Sequence, residues 1–225
     1  MRNTKVDPSN ADGSFILDME NKQKVIVYVD GFNFYYGLKD KKWRRYYWLD
    51  FVLFFESLLR PYQTLVEVKY FSAKPNNPVK SERQDLLFSA NKLNPKFKLI
   101  LGKYLKKDTT CKNCGYIIHS FEEKETDVRI ATNIIADAYK NRCDVSVLVS
   151  ADSDLIPPIE LLREIKPLQK VIVFFPPRRY SNNLKNIANA TKNLEGAKMM
   201  FENAMLPDEI TLPSGYVINR PDKWI

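Results

Sequence analysis

Apolar residues along this chain gather into short β-branched runs separated by longer stretches with helical spacing. The runs VIVYV (25–29), LVEVKYF (65–71), KLILGKYL (98–105), VSVLV (145–149) and VIVFF (171–175) predict five strands. Residues 49–60, 79–93, 125–140 and 155–165 predict helices between them, and another helix starts where the first strand ends. Strands that are apolar almost throughout, alternating with helices, predict an α/β fold with a mainly parallel sheet of about five strands covered on both faces. Residues 184–206 read as one or two further helices, and residues 207–225 as a Pro-rich tail packed on the domain. Residues 1–22 are polar, carry Pro8 and Gly13 and show no sustained period, so a flexible leader outside the fold is expected there.

Composition narrows the picture. A chain of 225 residues with 44% hydrophobic content can bury one sizeable core. The net charge of +8 favours an anionic partner. No run approaches the ~20 apolar residues of a membrane span. The first residues also lack the apolar segment of a secretory signal, so a cytoplasmic protein without a membrane partner is expected. Three cysteines, an odd number, agree with a reducing compartment.

Ligands of an open parallel sheet bind along the edge formed by the carboxyl ends of its strands. Asp30 follows VIVYV directly, and Ser150, Asp152 and Asp154 follow VSVLV, so all belong to that edge. Asp127 stands in the first turn of its helix, one turn ahead of the apolar stripe Ile130, Ala131, Ile134, Ile135 and Ala138, and is placed at the same edge. Taken singly, Asp127, Asp152 and Asp154 read as helix N-caps. Taken together, four carboxylates within about 5 Å would repel by roughly 3 kcal/mol per pair at an effective dielectric of 20, and the sum exceeds a usual domain stability. Protons or a divalent cation must neutralise such a cluster, and Mg²⁺ or Mn²⁺ suits carboxylate oxygens.

Three ordered motifs, VDGFNFYYG (29–37), KETD (124–127) and SADSDL (150–155), resemble the signatures of the NYN-domain family within the PIN-like nuclease superfamily. The likeness covers about residues 24–176, with weaker similarity in LP-x-x-I and the closing RP-x-x-W. It implies a PIN-like, Rossmann-like three-layer α/β/α fold, a nuclease domain over residues 23–205, and metal-dependent endonucleolytic cleavage of RNA. Asp30, Asp127, Asp152 and Asp154 match the family's acidic positions, and Asn33 matches its amide in D-x-x-N. Ala151 departs from the pattern, where Gly is frequent.

The residues lead to the same chemistry by another route. His119 is the only histidine, which excludes a two-histidine acid/base mechanism. A cation on Asp30, Asp152 and Asp154 would acidify a bound water, with Asp127 positioning that water or a second ion. Asn33 and Ser150 would orient these ligands, or close turns and caps without further role. The stretch KDKKWRRYYW (39–48) interleaves Lys41, Lys42, Arg44 and Arg45 with Trp43, Tyr46, Tyr47 and Trp48, the composition of a single-strand groove. A solvated loop on buried aromatic anchors is the plainer reading. Lys124, Arg178 and Arg179 fall at the active edge and join the RNA-contacting cations, with Lys103, Lys106 and Lys107 behind them.

CKNCGYIIH (111–119), on a hairpin insertion at residues 108–121, offers Cys111, Cys114 and His119 as half of a zinc knuckle. A structural site needs four ligands, and Cys143 lies beyond a helix about 21 Å long. A metal-free turn with two reduced thiols is the alternative. The expectation is an endoribonuclease using Mg²⁺ or Mn²⁺ on single-stranded RNA, with structural Zn²⁺ and a homodimer left open. Its rivals are a catalytically silent RNA-binding module and a nucleotide-sugar transferase using Asp152-Ser153-Asp154 as a D-x-D motif. Asp30 and Asp127 on the same edge argue against the transferase.

Overall fold

The computed structural model describes residues 22–75, 77–110 and 113–225. The expected leader up to residue 21 lies outside the described residues, as do Cys111 and the side chains of Lys106, Lys107 and His119. The chain runs from β1 (Gln23–Asp30) through α1 (Gly31–Asp40), a 3-10 turn at Arg44–Tyr47, α2 (Phe51–Glu56), β2 (Gln63–Ser72) and α3 (Pro78–Asn91) to β3 (Phe97–Leu101). A hairpin of β4 (Lys103–Thr110) and β5 (Ile117–Lys124) leads into α4 (Thr126–Tyr139) and β6 (Val145–Val149). A 3-10 turn at Ser153–Leu155 opens α5 (Ile156–Ile165). It is followed by β7 (Lys170–Phe175), α6 (Asn182–Ile187), β8 (Ala190–Asn193) and α7 (Lys198–Asn203). A small antiparallel pair, β9 (Glu209–Thr211) and β10 (Val217–Asn219), lies near the end.

Six strands form one parallel sheet in the order β3-β2-β1-β6-β7-β8. From β1 the chain first builds outward to β3, then returns beside β1 and builds the other way. The order therefore reverses between β1 and β6, which is where an α/β sheet opens a crevice at its carboxyl edge. Val25, Val27 and Val29 face α1 to α3 and a layer of phenylalanines that includes Phe34, Phe54 and Phe201. Ile26, Tyr28 and Leu148 face α4, α5 and α6 through Ile130, Ile134, Ile159 and Leu184. Both faces of β1 are closed, and its residues 25–29 have no exposed surface.

Two elements differ from the sequence pattern. KLILGKYL divides at Gly102, whose N–H donates to the Ser72 carbonyl at 2.7 Å, and its second half leaves the sheet to pair with β5. The run read as helix from residue 184 contains β8, which adds a sixth strand beside β7. β8 is an edge strand with mostly exposed side chains, so no apolar alternation marks it.

The face under α4 carries charge as well as hydrocarbon. Asp137 accepts hydrogen bonds from Tyr28 Oη at 2.8 Å, Lys69 Nζ at 2.6 Å and Arg142 Nη1 at 2.9 Å. Lys69 also donates to Asn133 Oδ1 at 2.9 Å, and Arg142 reaches Glu67 at 3.2 Å. Lys69, Glu67 and Asp137 are all buried, so each depends on the others for compensation. Burial and the adjacent acid hold the Tyr28 phenol well above its ordinary pKa. The network fixes α4 against β1 and β2. Asp137→Ala is expected to lower unfolding free energy by roughly 3–5 kcal/mol in urea titrations, because it takes from a buried ammonium its nearer carboxylate, at 2.6 Å, and leaves only Glu67 at 3.8 Å. A loss below ~1 kcal/mol, the worth of a surface pair, would refute this account.

Candidate functional site

Val29 pairs with Val149 in the register of β1 and β6, so Asp30 and Ser150 leave the sheet side by side. Ser150 Oγ donates to Asp30 Oδ2 at 2.8 Å. The same carboxylate caps α1: Oδ1 accepts the Asn33 N–H at 3.0 Å, and Oδ2 accepts Asn33 Nδ2 at 2.8 Å. Asn33 Oδ1 in turn takes the Ala151 N–H at 3.4 Å, closing a ring across the two strand ends. The D-x-x-N spacing explains the first half of this, since a cap and the residue three positions on share one helical turn.

Asp152 continues the constellation. Its N–H donates to Ser150 Oγ at 3.0 Å, and its carboxylate accepts the Asp154 N–H at 3.0 Å as the cap of the next turn. Asp30 is 3% exposed, and burial raises its pKa above the ordinary 3.8. The hydrogen bonds from Asn33 and Ser150 oppose that rise, and the charge of Asp152 adds to it. Asp152 is half-buried and Asp154 exposed. Asp127 is half-buried in the first turn of α4, whose buried line runs through Thr126, Ile130, Ile134 and Ala138. Asp30 and Ser150 stand at alternate positions to Tyr28 and Leu148, on the sheet face that α4 covers.

Among the described residues, no three Asp, Glu, His or Cys side chains gather closely enough to cage a metal ion. Mg²⁺ does not need such a cage: it keeps several waters and takes one or two carboxylates together with substrate phosphates. A buried carboxylate whose hydrogen-bonding side chains, Asn33 and Ser150, are neutral and whose neighbour Asp152 is acidic fits that demand. Asp30 and Asp152 are the residues that could hold it. Cys114 is exposed, while Cys143 is buried between Ser146 and Gln169.

The basic stretch divides. Lys42, Arg44, Arg45, Lys124 and Arg178 are exposed, whereas Lys41 is paired with Glu195 and Arg179 with Asp40 at 2.6 Å. The expected stacking rings do not fit: Tyr46, Tyr47 and Trp48 are buried, and Trp43 is half-buried against Phe201. Tyr46 stacks on Phe201 at 5.3 Å, and Trp48 Nε1 donates to the Pro207 carbonyl at 2.7 Å. Sequence reading missed a cleft of about 340 Å³ that begins at Gly31 and includes Tyr35, Tyr36, Arg83 and Gln84. The YY pair inside VDGFNFYYG was its available signal, being aromatic on the outer side of α1.

No described helix is long and apolar enough to cross a membrane. Among solved structures, a protein of unknown function, VPA0982 from Vibrio parahaemolyticus RIMD 2210633, superimposes with a TM-score of 0.54 at 22% identity, covering 77% of this chain and 93% of that one. This likeness shows the fold. Among curated proteins, 6-hydroxy-3-succinoylpyridine 3-monooxygenase HspA of Pseudomonas putida (strain DSM 28022 / S16) is 26% identical over 172 residues, 61% of this chain and 54% of that protein. The chain thus spans about half the length of that curated relative. The NYN domain model matches residues 24–195, which takes in β1 from Lys24 onward, β6 and every residue of the ring around Asp30. By that match the chain belongs to the NYN domain family of the PIN-like superfamily.

Proposed function

We propose that this protein is a metal-dependent endoribonuclease acting on single-stranded RNA. One observation carries the reading: the Asp30 carboxylate is buried at the crevice, held by the neutral side chains of Asn33 and Ser150, with the charge of Asp152 beside it. Such a group calls for a proton or a cation. The family supports the second, since NYN domains are generally nuclease-like, commonly bind RNA, and belong with PIN-like nucleases that typically use divalent metals. A divalent ion bound there supplies positive charge for the scissile phosphate and a more acidic water.

The chain's own groups have separate tasks in this reading. Asp30 and Asp152 hold the cation, while Asn33 and Ser150 keep the Asp30 carboxylate oriented at the strand end. Asp127 and Asp154 are assigned to positioning water and a further ion. Lys42, Arg44, Arg45, Lys124 and Arg178 are assigned to the RNA backbone, where exposed cations release counterions from phosphates. A second reading, an RNA-binding module without turnover, draws on the lack of a three-ligand cage among the described residues. The pyridine monooxygenation named for the Pseudomonas putida relative is not carried over, given 26% identity over about half of that protein.

Labelled single-stranded RNA incubated with Mn²⁺ should be cut, and EDTA should stop the cutting. Asp152→Asn keeps the N-cap, because Asn caps as well as Asp. It should abolish cleavage while retaining RNA binding. In thermal melts the parent should gain stability on adding Mn²⁺, and the variant much less. Equal gains would remove Asp152 from the ion site.

The raised Asp30 pKa has a defined sign. The native state binds the proton more tightly than the unfolded chain, so stability falls as pH rises from the unfolded value of 3.8 toward the native one. Asp30→Asn removes that titration. In EDTA the variant should therefore gain on the parent, in unfolding free energy, as pH is raised from below 3.8 to 7. A difference between the two proteins that stays constant over this range would contradict the assignment. Replacing Arg44 and Arg45 by Ala should flatten the plot of log affinity against log salt by roughly 0.7 per lost phosphate contact. An unaltered slope would take these arginines out of the RNA path.

A further inference from the structure

The geometry points to a base-reading subsite: the cleft beside Asp30 seats one nucleobase of the RNA strand whose phosphate lies over the carboxylates. The proposal rests on the nuclease reading for the place of the phosphate, and on the cleft itself for the base. At about 340 Å³ the cleft falls in the range of small-molecule sites, ~300–1,000 Å³. It opens on the other face of the sheet from α4, between α1 and α3, and Gly31 in its lining follows Asp30 in the chain.

Gly31 has no room for a side chain. A Cβ there would lie 2.4 Å from the Phe71 carbonyl oxygen and 2.5 Å from Cε1 of Tyr70. The start of α1 therefore rests against the Tyr70 ring, which is buried and lines the cleft. Tyr70 Oη donates to the Gly31 carbonyl at 3.4 Å. Burial raises the Tyr70 phenol, and the charges of Asp30 and Tyr35 raise it further, so this hydroxyl keeps its proton for the Gly31 carbonyl.

The wall is aromatic and open. Tyr35 and Tyr36 are 39% and 42% exposed, their rings meeting edge to face at 5.3 Å. Tyr35 is backed by Tyr47 at 5.0 Å. Two adjacent exposed rings held in place by a third are a surface on which a flat ring can stack, and each stacked base is worth ~1–3 kcal/mol on such surfaces. Across the cleft, Gln84 Nε2 donates to Ser72 Oγ at 2.9 Å. A hydroxyl and an amide have further capacity, so Ser72 can give its hydrogen and Gln84 can accept on its carbonyl oxygen, a donor and an acceptor for the edge of a base. Lys80 and Arg83 line the same wall of α3. Cations in the lining, with Lys39 Nζ 5.3 Å over the Tyr36 ring, and stacking rings near the strand end that carries Asp30 suit a base carried on a phosphate chain better than a free apolar ring. The chain's charge of +8 has the matching sign.

The test measures binding in EDTA, where cleavage is not needed. A fluorescent single-stranded octanucleotide is compared with octanucleotides lacking one base at each position in turn, against the parent and Tyr35→Ala/Tyr36→Ala. One abasic position should weaken binding to the parent by roughly tenfold to a hundredfold. The double variant should bind the intact RNA with a similar loss, and removal of that base should then cost it little more. UMP and AMP should compete far more weakly than the octanucleotide. Losses that add independently would overturn the subsite, and a free nucleotide binding as tightly as the octanucleotide would make it a small-molecule site instead. Photocrosslinking of 5-iodouridine RNA to the parent supplies a readout without any variant: the peptide containing Tyr35 and Tyr36 should carry the label, and labelling elsewhere would sink the proposal. Base-dependent binding without cleavage in Mn²⁺ would defeat the nuclease reading alone. Cleavage indifferent to the base and to both tyrosines would defeat the subsite alone.

Discussion

The hydrogen bond from Ser150 to Asp30 joins the ends of the two central strands, and the organisation of the crevice follows from it. A carboxylate that is 3% exposed cannot be hydrated and must be satisfied by protein groups. Asn33 and Ser150 do this from opposite sides, one on the helix that Asp30 caps and the other on the strand next door. Their hydrogen bonds orient the oxygens and oppose the effect of burial on the pKa, while Asp152 pushes the other way. The result is a carboxylate held in place with excess negative charge around it. In the proposed function a cation is its counterpart.

The two faces of the sheet reach stability by different means. Beneath α1 to α3 the core is nearly all hydrocarbon and aromatic, with Phe34, Phe54 and Phe201 in mutual contact. Beneath α4, the Asp137, Lys69 and Arg142 network sits among the apolar side chains. Buried ion pairs add little net stability compared with hydrocarbon, but losing one partner leaves a buried charge uncompensated. The hydrogen bonds of this network hold α4 against β1 and β2. The aromatic face gains volume and rigidity, and it is this face that bears the cleft.

Several cations that composition would send to RNA are engaged in shaping the protein. Lys41 with Glu195 and Arg179 with Asp40 tie the end of α1 to the segments around β7 and β8. Gly37 makes that approach close, since a Cβ there would lie 2.6 Å from the Pro177 carbonyl oxygen. The rings of Tyr46, Tyr47 and Trp48 belong to the core, so in this stretch the cations face solvent and the aromatics anchor them.

Much of this architecture was legible along the chain. Near-continuous β-branched runs such as VIVYV and VSVLV read as buried parallel strands, and polar residues directly after them as standing at the carboxyl edge. The D-x-x-N pairing of Asp30 with Asn33 is local and followed from helical spacing. Other features were beyond any one-dimensional reading. β8 is an exposed edge whose pairing depends on its neighbour, and the pairing of β3 with β2 ends at Gly102 with a bond to Ser72 before the chain turns to pair with β5. The contact of Ser150 with Asp30 spans 120 residues and exists because β1 and β6 pair in one particular register. The burial of Lys69 and Asp137, and the cleft between α1 and α3, likewise arise from packing across segments. Sequence determined which residues sit at strand ends, because strand and helix periods are set by neighbouring residues. Tertiary structure alone decided which of those ends meet, because pairing and desolvation are properties of surfaces that the folded chain brings together.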